Sequence, residues 1–409
     1  MFDFNLYSSL LLPGFLVGTV HAGLLTLRSV REERLADLFA SFILLIGSLY
    51  VAQWMLGFAG WYDSHDARTT LMFYLPWQNL AALGPLVWLY FRAVTNTDFV
   101  WRGHYWWHFA LFGLTLIQPV FNLIYDFGWH RLLQGNDFLG FNGTRGPAAE
   151  WENSDNWYPT VPIIVVVRLV VIAYLVQTIR EFRRYQHYLD EQFSNARRLT
   201  LPGLRVLLWI LLLGIGSNFL LEVSHYIWPA QTYMDSWNRF LVMAVLIFFA
   251  GIQFYAISPE LTRPLRFAPE TETRVPKSTV HPPVESPSGI DAEVRRWSER
   301  LDERLAQHED YLDPELKLAD LAERIGTNSS VLSKVINTVH EKNFNDFVNA
   351  LRCAAFLKRV ERGDHRRHTL LSLAIDCGFN SKSTFNRAFR KRYSTSPGAY
   401  IRKIEPENA

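Results

Sequence analysis

Between Arg366 and Lys403 the chain carries nine basic residues and one acid, Asp376, a net charge of +8 over 38 residues. A cluster of that sign neutralises phosphates, the term that dominates affinity for double-stranded nucleic acid. Arg387 has the planar fork that pairs bidentately with a guanine edge, a contact worth about 1–3 kcal/mol. Arg390, Lys391 and Arg392 follow it; Lys391 and Arg392 suit phosphates, which carry no sequence information. A solvated basic helix face is the alternative. The preceding stretch, Asp291–Asp346, has 8 basic and 13 acidic residues, a net −5. The basic stretch is therefore the expected anchor. The acidic run at 299–315 reads as a solvated helix surface, with a basic partner such as a polymerase subunit as the other option. No H-E-x-x-H motif or paired carboxylates point to catalysis. The chain is read as a non-enzyme that needs no cofactor or metal.

Those side chains must be presented by helices. Leu318, Leu321, Ala322 and Ile325 repeat at i, i+3, i+4, i+7, one helix face. Gly326 breaks that helix and Thr327-Asn328 offer a cap. A second helix turns Val331, Leu332, Val335 and Ile336 inward. The design recurs: Leu370, Leu373 and Ala374 form a face, Gly378 stops it, and Asn380 or Ser381 caps a helix carrying Phe385, Ala388 and Phe389. A connecting helix is predicted over 345–362. Helix, short glycine turn, helix is the geometry that offers a second helix to a DNA major groove.

The run Leu370-x-x-Leu373-Ala374-x-x-x-Gly378-Phe379-x-Ser381-x-Ser383-x-Phe385-x-Arg387-x-Phe389-x-Lys391, then Ser396-Pro397 and Tyr400, resembles the AraC/XylS-type DNA-binding domain over about 291–403. The earlier unit, with Leu321-Ala322, Leu332, Phe344 and Arg352, is similar but looser. The resemblance implies two recognition helices entering successive major-groove turns of promoter DNA. It also implies that Lys382, Ser383, Asn386 and Arg387 face DNA in the second unit, and Ser330, Ser333 and Lys334 in the first.

The rest of the chain is of another kind. Overall it holds 41 basic and 39 acidic residues, 15% aromatics and 14 Trp. No charged residue occurs between Leu38 and Trp61, nor between Thr69 and Phe91. A helix crossing hydrocarbon needs about 20 mostly apolar residues. Seven stretches qualify: about 6–27, 36–60, 70–91, 104–125, 161–178, 203–224 and 239–257. Trp61, Tyr62, Tyr105, Trp106, Trp107 and Trp228 at their ends read as an interfacial belt. This excludes a single soluble globule. The two cysteines, Cys353 and Cys377, exclude a disulfide scaffold and read as reduced thiols filling small core spaces.

Arginines set the expected orientation. One set of loops holds Arg28, Arg31, Arg34, Arg92, Arg102, Arg180, Arg183, Arg184, Arg197, Arg198 and Arg205; the alternate set holds Arg68, Arg131, Arg145 and Arg239. The richer set belongs in the cytoplasm, which puts the N-terminus outside an inner, cytoplasmic membrane and the C-terminal third inside. The first basic residue follows the first apolar run, which reads as an anchor rather than a cleaved signal. Ser258–Ile290 holds seven prolines and reads as an extended linker spanning up to ~100 Å at about 3.1 Å per residue.

Within the spans, Arg168 is expected to face the bundle and to have a partner; Glu222 falls at a similar depth. Gln53, Gln78, Gln118, Asn122 and Asn218 occupy the middle or outer half. Arg168, Glu222, Gln78, Gln118 and Asn122 are the candidate ligand contacts, with structural packing as the alternative. His21 and His108 read as satisfied by neighbours.

The expected fold is all-α: a seven-helix membrane sensor at 1–257, a linker at 258–290 and a DNA-binding domain at 291–409. The expected function is a membrane-embedded transcription regulator that couples an unidentified small-molecule or membrane signal to promoter DNA. Self-association is compatible with this. The rival is a transporter or membrane receptor whose C-terminal domain is a regulatory protein-binding module. Against transport, no inverted repeat is visible.

Overall fold

The computed structural model describes residues 3–77, 79–96, 99–152, 160–195, 201–227, 237–257 and 287–404. Most of the expected linker, 258–286, and Gln78 lie outside these. The described residues are all-α, without a strand beyond isolated bridges. They form two compact units, one from 1–182 with 201–266 and one from 183–200 with 267–409.

The first unit is built on long apolar helices. Asn5 caps α1 (Leu6–Glu32) by accepting from Tyr7 and Ser8 backbone N–H groups. The turn into α2 (Leu35–Phe58) passes through Glu33 in the left-handed region. Gly14 lets α1 approach α9 (Trp237–Ala256) closely: a Cβ there would lie 2.3 Å from the Ala244 carbonyl oxygen. Small residues at such crossings let backbones pack without a hydrophobic drive. Arg28 donates to both Asp37 carboxylate oxygens, at 2.8 and 2.7 Å, and to the Tyr255 carbonyl at 3.2 Å. One cation thus ties α1, α2 and α9.

Six helical stretches among the described residues are long and apolar enough to cross a membrane: Leu6–Glu32, Leu35–Phe58, Gly103–Leu133, Pro162–Gln192, Gly203–Leu221 and Trp237–Ala256. The remaining expected stretch, 70–91, is not one helix. It is divided into α3 (Ala67–Tyr74) and α4 (Leu83–Thr95). Pro76 disfavours helix at Leu75, which is extended (φ −92, ψ 137). Past the break, Asn79 accepts from the Ala81 N–H at 3.1 Å. The stretch expected over 161–178 runs on as α7 (Thr160–Gln192), and the one expected over 203–224 is α8 (Pro202–Ile227). The stretch around α5 (Ala110–Leu123) begins as a 3-10 helix and ends as a π-helix.

The region after α5 is ordered up to Glu152. Buried Asp126 accepts from Tyr74 Oη at 2.7 Å and from the Ala148 and Ala149 N–H groups at 2.9 and 3.0 Å. Those donors begin α6 (Pro147–Glu152), where a carboxylate is favoured.

In the second unit α10 (Pro287–Gln307) starts four residues before the expected boundary at 291. Two helix-turn-helix units follow: α11 (Leu318–Arg324) with α12 (Ser329–Val339), and α14 (Leu370–Asp376) with α15 (Lys382–Tyr393). Between them α13 (Phe344–Glu361) matches the predicted connecting helix, and α16 (Pro397–Ile404) closes the unit. Each helix pair has its own core. Leu321, Leu332 and Ile336 pack with Phe344 and Phe347; Leu373, Phe385 and Phe389 pack with Cys353 and Phe356. α13 therefore belongs to both cores.

Asp310 braces the first pair. It accepts from Arg304 Nε at 2.7 Å and Arg324 Nη1 at 2.8 Å. Burial opposes its charge, but the two arginines hold its carboxyl below the usual carboxylate range. Its stabilisation is then complete above the unfolded value of about 3.9 and is lost as pH falls toward the lower folded value. Asp310→Asn should cost about 1–3 kcal/mol at neutral pH, read by denaturation of the second unit in the full chain. The gap to the parent should close below about pH 4.

Candidate nucleic-acid interface

The second recognition helix is placed by the turn before it. Gly378 has φ +88, a conformation that L side chains avoid. A Cβ there would also lie 2.7 and 2.9 Å from the Leu312 and Tyr311 carbonyl oxygens. Ser381, one of the two predicted caps, accepts from the Thr384 N–H at 3.2 Å and starts α15. Phe385 and Phe389 are buried, and they fix which side of α15 faces out.

Lys382, Ser383, Arg387, Arg390 and Lys391 are exposed and Asn386 is half-buried. At about 100° per residue, Ser383, Asn386, Arg387 and Arg390 share the face opposite Phe385 and Phe389. Ser383 Oγ lies 3.2 Å from Ser381 Oγ. Lys391, at the edge of that face, pairs with Asp346 of α13 at 2.5 Å. Arg392 is set apart, because it follows the Phe385–Phe389 stripe. Its Nε donates to Tyr393 Oη at 3.1 Å, and it lines a cavity of about 660 Å³ with Glu341, Asp346 and Lys391.

On α12, Asn328 caps by accepting from the Val331 N–H at 2.9 Å. Leu332, Val335 and Ile336 are buried as predicted, while Val331 is half-buried. Ser330 and Lys334 are exposed; Ser333 is half-buried and accepts from Asn337 Nδ2 at 3.4 Å. Asn337 is exposed and lies seven residues after Ser330, so it shares that face; the sequence reading missed it although the spacing announces it.

Arg352 sits on α13 between the two units and is buried. It donates to the Tyr311 carbonyl at 2.7 Å and the Asp313 carbonyl at 2.7 Å. Burial pushes its guanidinium down to about 10, so it stays charged at neutral pH. Burial also pushes the Cys353 thiol up to about 12 and raises Cys377. Both cysteines are free, buried and so poorly nucleophilic.

A family profile described as a helix-turn-helix domain matches residues 321–403. Regulatory protein SoxS of Escherichia coli (strain K12) is 23% identical over 107 residues, 25% of this chain and 94% of that protein. Regulatory protein SoxS of Salmonella typhimurium is 23% identical over 99 residues, 24% of this chain and 87% of that protein. No solved structure matches. The chain carries an AraC/XylS-type helix-turn-helix domain. It is a DNA-binding transcription regulator, not an enzyme.

Of the candidate ligand contacts in the first unit, Gln118 and Asn122 come together. Gln118 Nε2 donates to Asn122 Oδ1 at 2.8 Å, and Asn122 Nδ2 donates to Glu152, a partner the sequence reading missed. Burial raises the Glu152 carboxyl against the hydrogen bond from Asn122. Arg168 is buried. Gln78 and the Glu222 side chain lie outside the described residues. A cavity of about 730 Å³ lies elsewhere, lined by Gln53, Trp54, Tyr62, Phe73, Phe141 and Arg145 among others. Arg145 stacks 3.8 Å from the Phe73 ring centre and lies 3.6 Å from Glu150.

A buried cluster also escaped the sequence reading. Arg92, counted there as a loop charge, lies 3.8 Å from Glu181 and 4.1 Å from the Trp88 ring centre. Glu181 also accepts from Trp88 Nε1 at 3.2 Å and Gln177 Nε2 at 2.8 Å. His108 reaches Tyr174 Oη at 2.7 Å, a neighbouring helix as expected, whereas His21 bonds the Val17 carbonyl of its own helix at 2.8 Å.

Gly378→Ala should destabilise the second core by about 1–3 kcal/mol, through both the left-handed backbone and the two carbonyl contacts. Denaturation followed through Tyr393 and Tyr400, which pack beside Phe389, should show it; an unchanged midpoint would mean the turn relaxes freely.

Proposed function

We propose that the chain is a membrane-embedded, sequence-specific transcription regulator that couples a signal at the membrane or cell exterior to promoter binding. The observation that carries the reading is the exposed basic face of α15, turned outward by Gly378 inside a domain of the AraC type. In this reading Arg387 and Asn386 read base edges. Lys382, Ser383, Arg390, Lys391 and Arg392 hold phosphates or position the helix, and Ser330, Ser333 and Lys334 do the same from α12.

Lipid as the surrounding of the first unit is supported by what its helices leave uncovered. Leu114, Ile117, Phe121, Leu213 and Leu220 are each more than half exposed. Little of the Gly103–Leu133 stretch is buried within the chain. Apolar surface on that scale needs a cover, and lengths of 19–31 residues suit a bilayer. The arginine bias supports an outer N-terminus and a cytoplasmic DNA-binding domain. Signal recognition is assigned to the side that this orientation makes the outer half; the bonded group of Gln118, Asn122 and Glu152 and the 730 Å³ cavity support the assignment. Arg168, Gln78 and Glu222 stay in that assignment on sequence grounds alone.

Genomic fragments captured by the full chain in lipid nanodiscs should share a motif. Arg387→Ala should relax one base position and cost about 1–3 kcal/mol on the selected site, measured by fluorescence anisotropy. Lys382→Ala should weaken all duplexes alike and lower the salt slope by about one. Captured fragments with no common sequence would refute base reading.

A further inference from the structure

α7 is one helix, yet its residues from Arg183 onward belong to the compact unit that binds DNA. The contacts are specific. Phe193 forms an antiparallel bridge with Lys317, and the Ser194 N–H donates to the Leu316 carbonyl at 3.2 Å. Asn345 Nδ2 donates to the Phe193 carbonyl at 3.0 Å and the Ser194 carbonyl at 3.2 Å. Arg352 donates to Ser194 Oγ at 3.1 Å and to its carbonyl at 3.4 Å. Ser194 is fully buried by this grip, and Leu189 and Tyr185 before it are buried too. Every polar atom of Ser194 is thus used by the DNA-binding domain.

The grip lies at the joint of the two helix-turn-helix units, because the same guanidinium braces Tyr311 and Asp313. It also lies beside the recognition helix. Asp346, next to Asn345, pairs with Lys391. One turn before Ser194, the Asp190 carboxylate interacts with Arg387 and Lys391 as opposite charges and with Asp346 as a like charge. Arg387 and Lys391 are the residues assigned above to DNA, and a phosphate and the Asp190 carboxylate compete for the same cations.

We propose that the end of α7 with the residues just after it, Arg183–Asn195, is an intramolecular partner of the DNA-binding domain: docked on α13 through Ser194, it holds the domain in a state of low DNA affinity. Undocking frees Arg387 and Lys391 for DNA. Since α7 also carries Arg168 and Glu181, a change along this one helix reaches the DNA-binding domain without crossing the linker. The inference rests on the DNA-binding reading.

A disulfide tests it. Residues facing each other across an antiparallel bridge have Cα atoms about 4.5–5.5 Å apart, within the range a disulfide needs. Phe193→Cys/Lys317→Cys in the full chain would lock the dock on oxidation, while buried Cys353 and Cys377 stay inert. The probe is a fluorescein-labelled random-sequence duplex, with the protein in phosphatidylcholine nanodiscs. Oxidised protein should bind about tenfold more weakly than reduced, the locked form having no competent fraction. Asp190→Asn and Asn345→Ala should each bind more tightly than the parent, and the Asp190→Asn gain should shrink as salt rises. Equal binding by oxidised and reduced forms, or no gain in either single variant, overturns the inference. If the duplex is bound and Arg387→Ala weakens it, the DNA-binding reading survives that outcome. If no form binds the duplex, both fall.

Discussion

A guanidinium removed from water has to spend its donors on protein oxygens, and Arg352 spends them where the loop ahead of α11, helix α13 and the residues after α7 meet. Its acceptors are the Tyr311 and Asp313 carbonyls, the Asn349 side chain and Ser194. No carboxylate is among these hydrogen-bond acceptors, and three of the bonds go to backbone carbonyls, whose positions the backbone fixes. The consequence is geometric. The loop ahead of α11, the connecting helix α13 and the end of α7 cannot shift independently while that cation stays buried. Gly378 lies against the same group, where a Cβ would come 2.9 Å from Arg352 Nε, so the turn that aims α15 shares the constraint.

The first unit handles buried charge differently, with carboxylate partners. Arg28 with Asp37 and Arg92 with Glu181 are pairs whose carboxylates are almost wholly covered. Such pairs rarely add stability over an apolar core, but losing one partner leaves a costly charge. They specify which helices lie together. Arg28 selects α1, α2 and α9; Glu181 joins α7 to α4. Glu181 of α7 bonds within the first unit, and Ser194, past the end of α7, bonds within the second.

Much of the DNA-binding unit was legible before folding. The periodicity of Leu318, Leu321 and Ala322, the breaks at Gly326 and Gly378, and the caps at Asn328 and Ser381 all act within a few residues, and each appears where it was expected. The basic face of α15 follows from the same period. Less of the first unit was legible. Uniformly apolar helices carry no stripe to show which side is covered, so the partners of Asn122 and Arg92 were invisible. The break between α3 and α4 was signalled by Pro76, but composition alone read through it.

Length of apolar run, helical period and turn chemistry are local properties, and from them came the all-α class, the two kinds of unit and the helix that presents Arg387. Which distant groups share a buried site is a property of the folded chain. Ser194 and Arg352 are 158 positions apart, and no spacing rule links them. The fold alone decided that a serine past the end of α7 satisfies an arginine on α13, because only close packing shows which donors have been cut off from water and must find an acceptor.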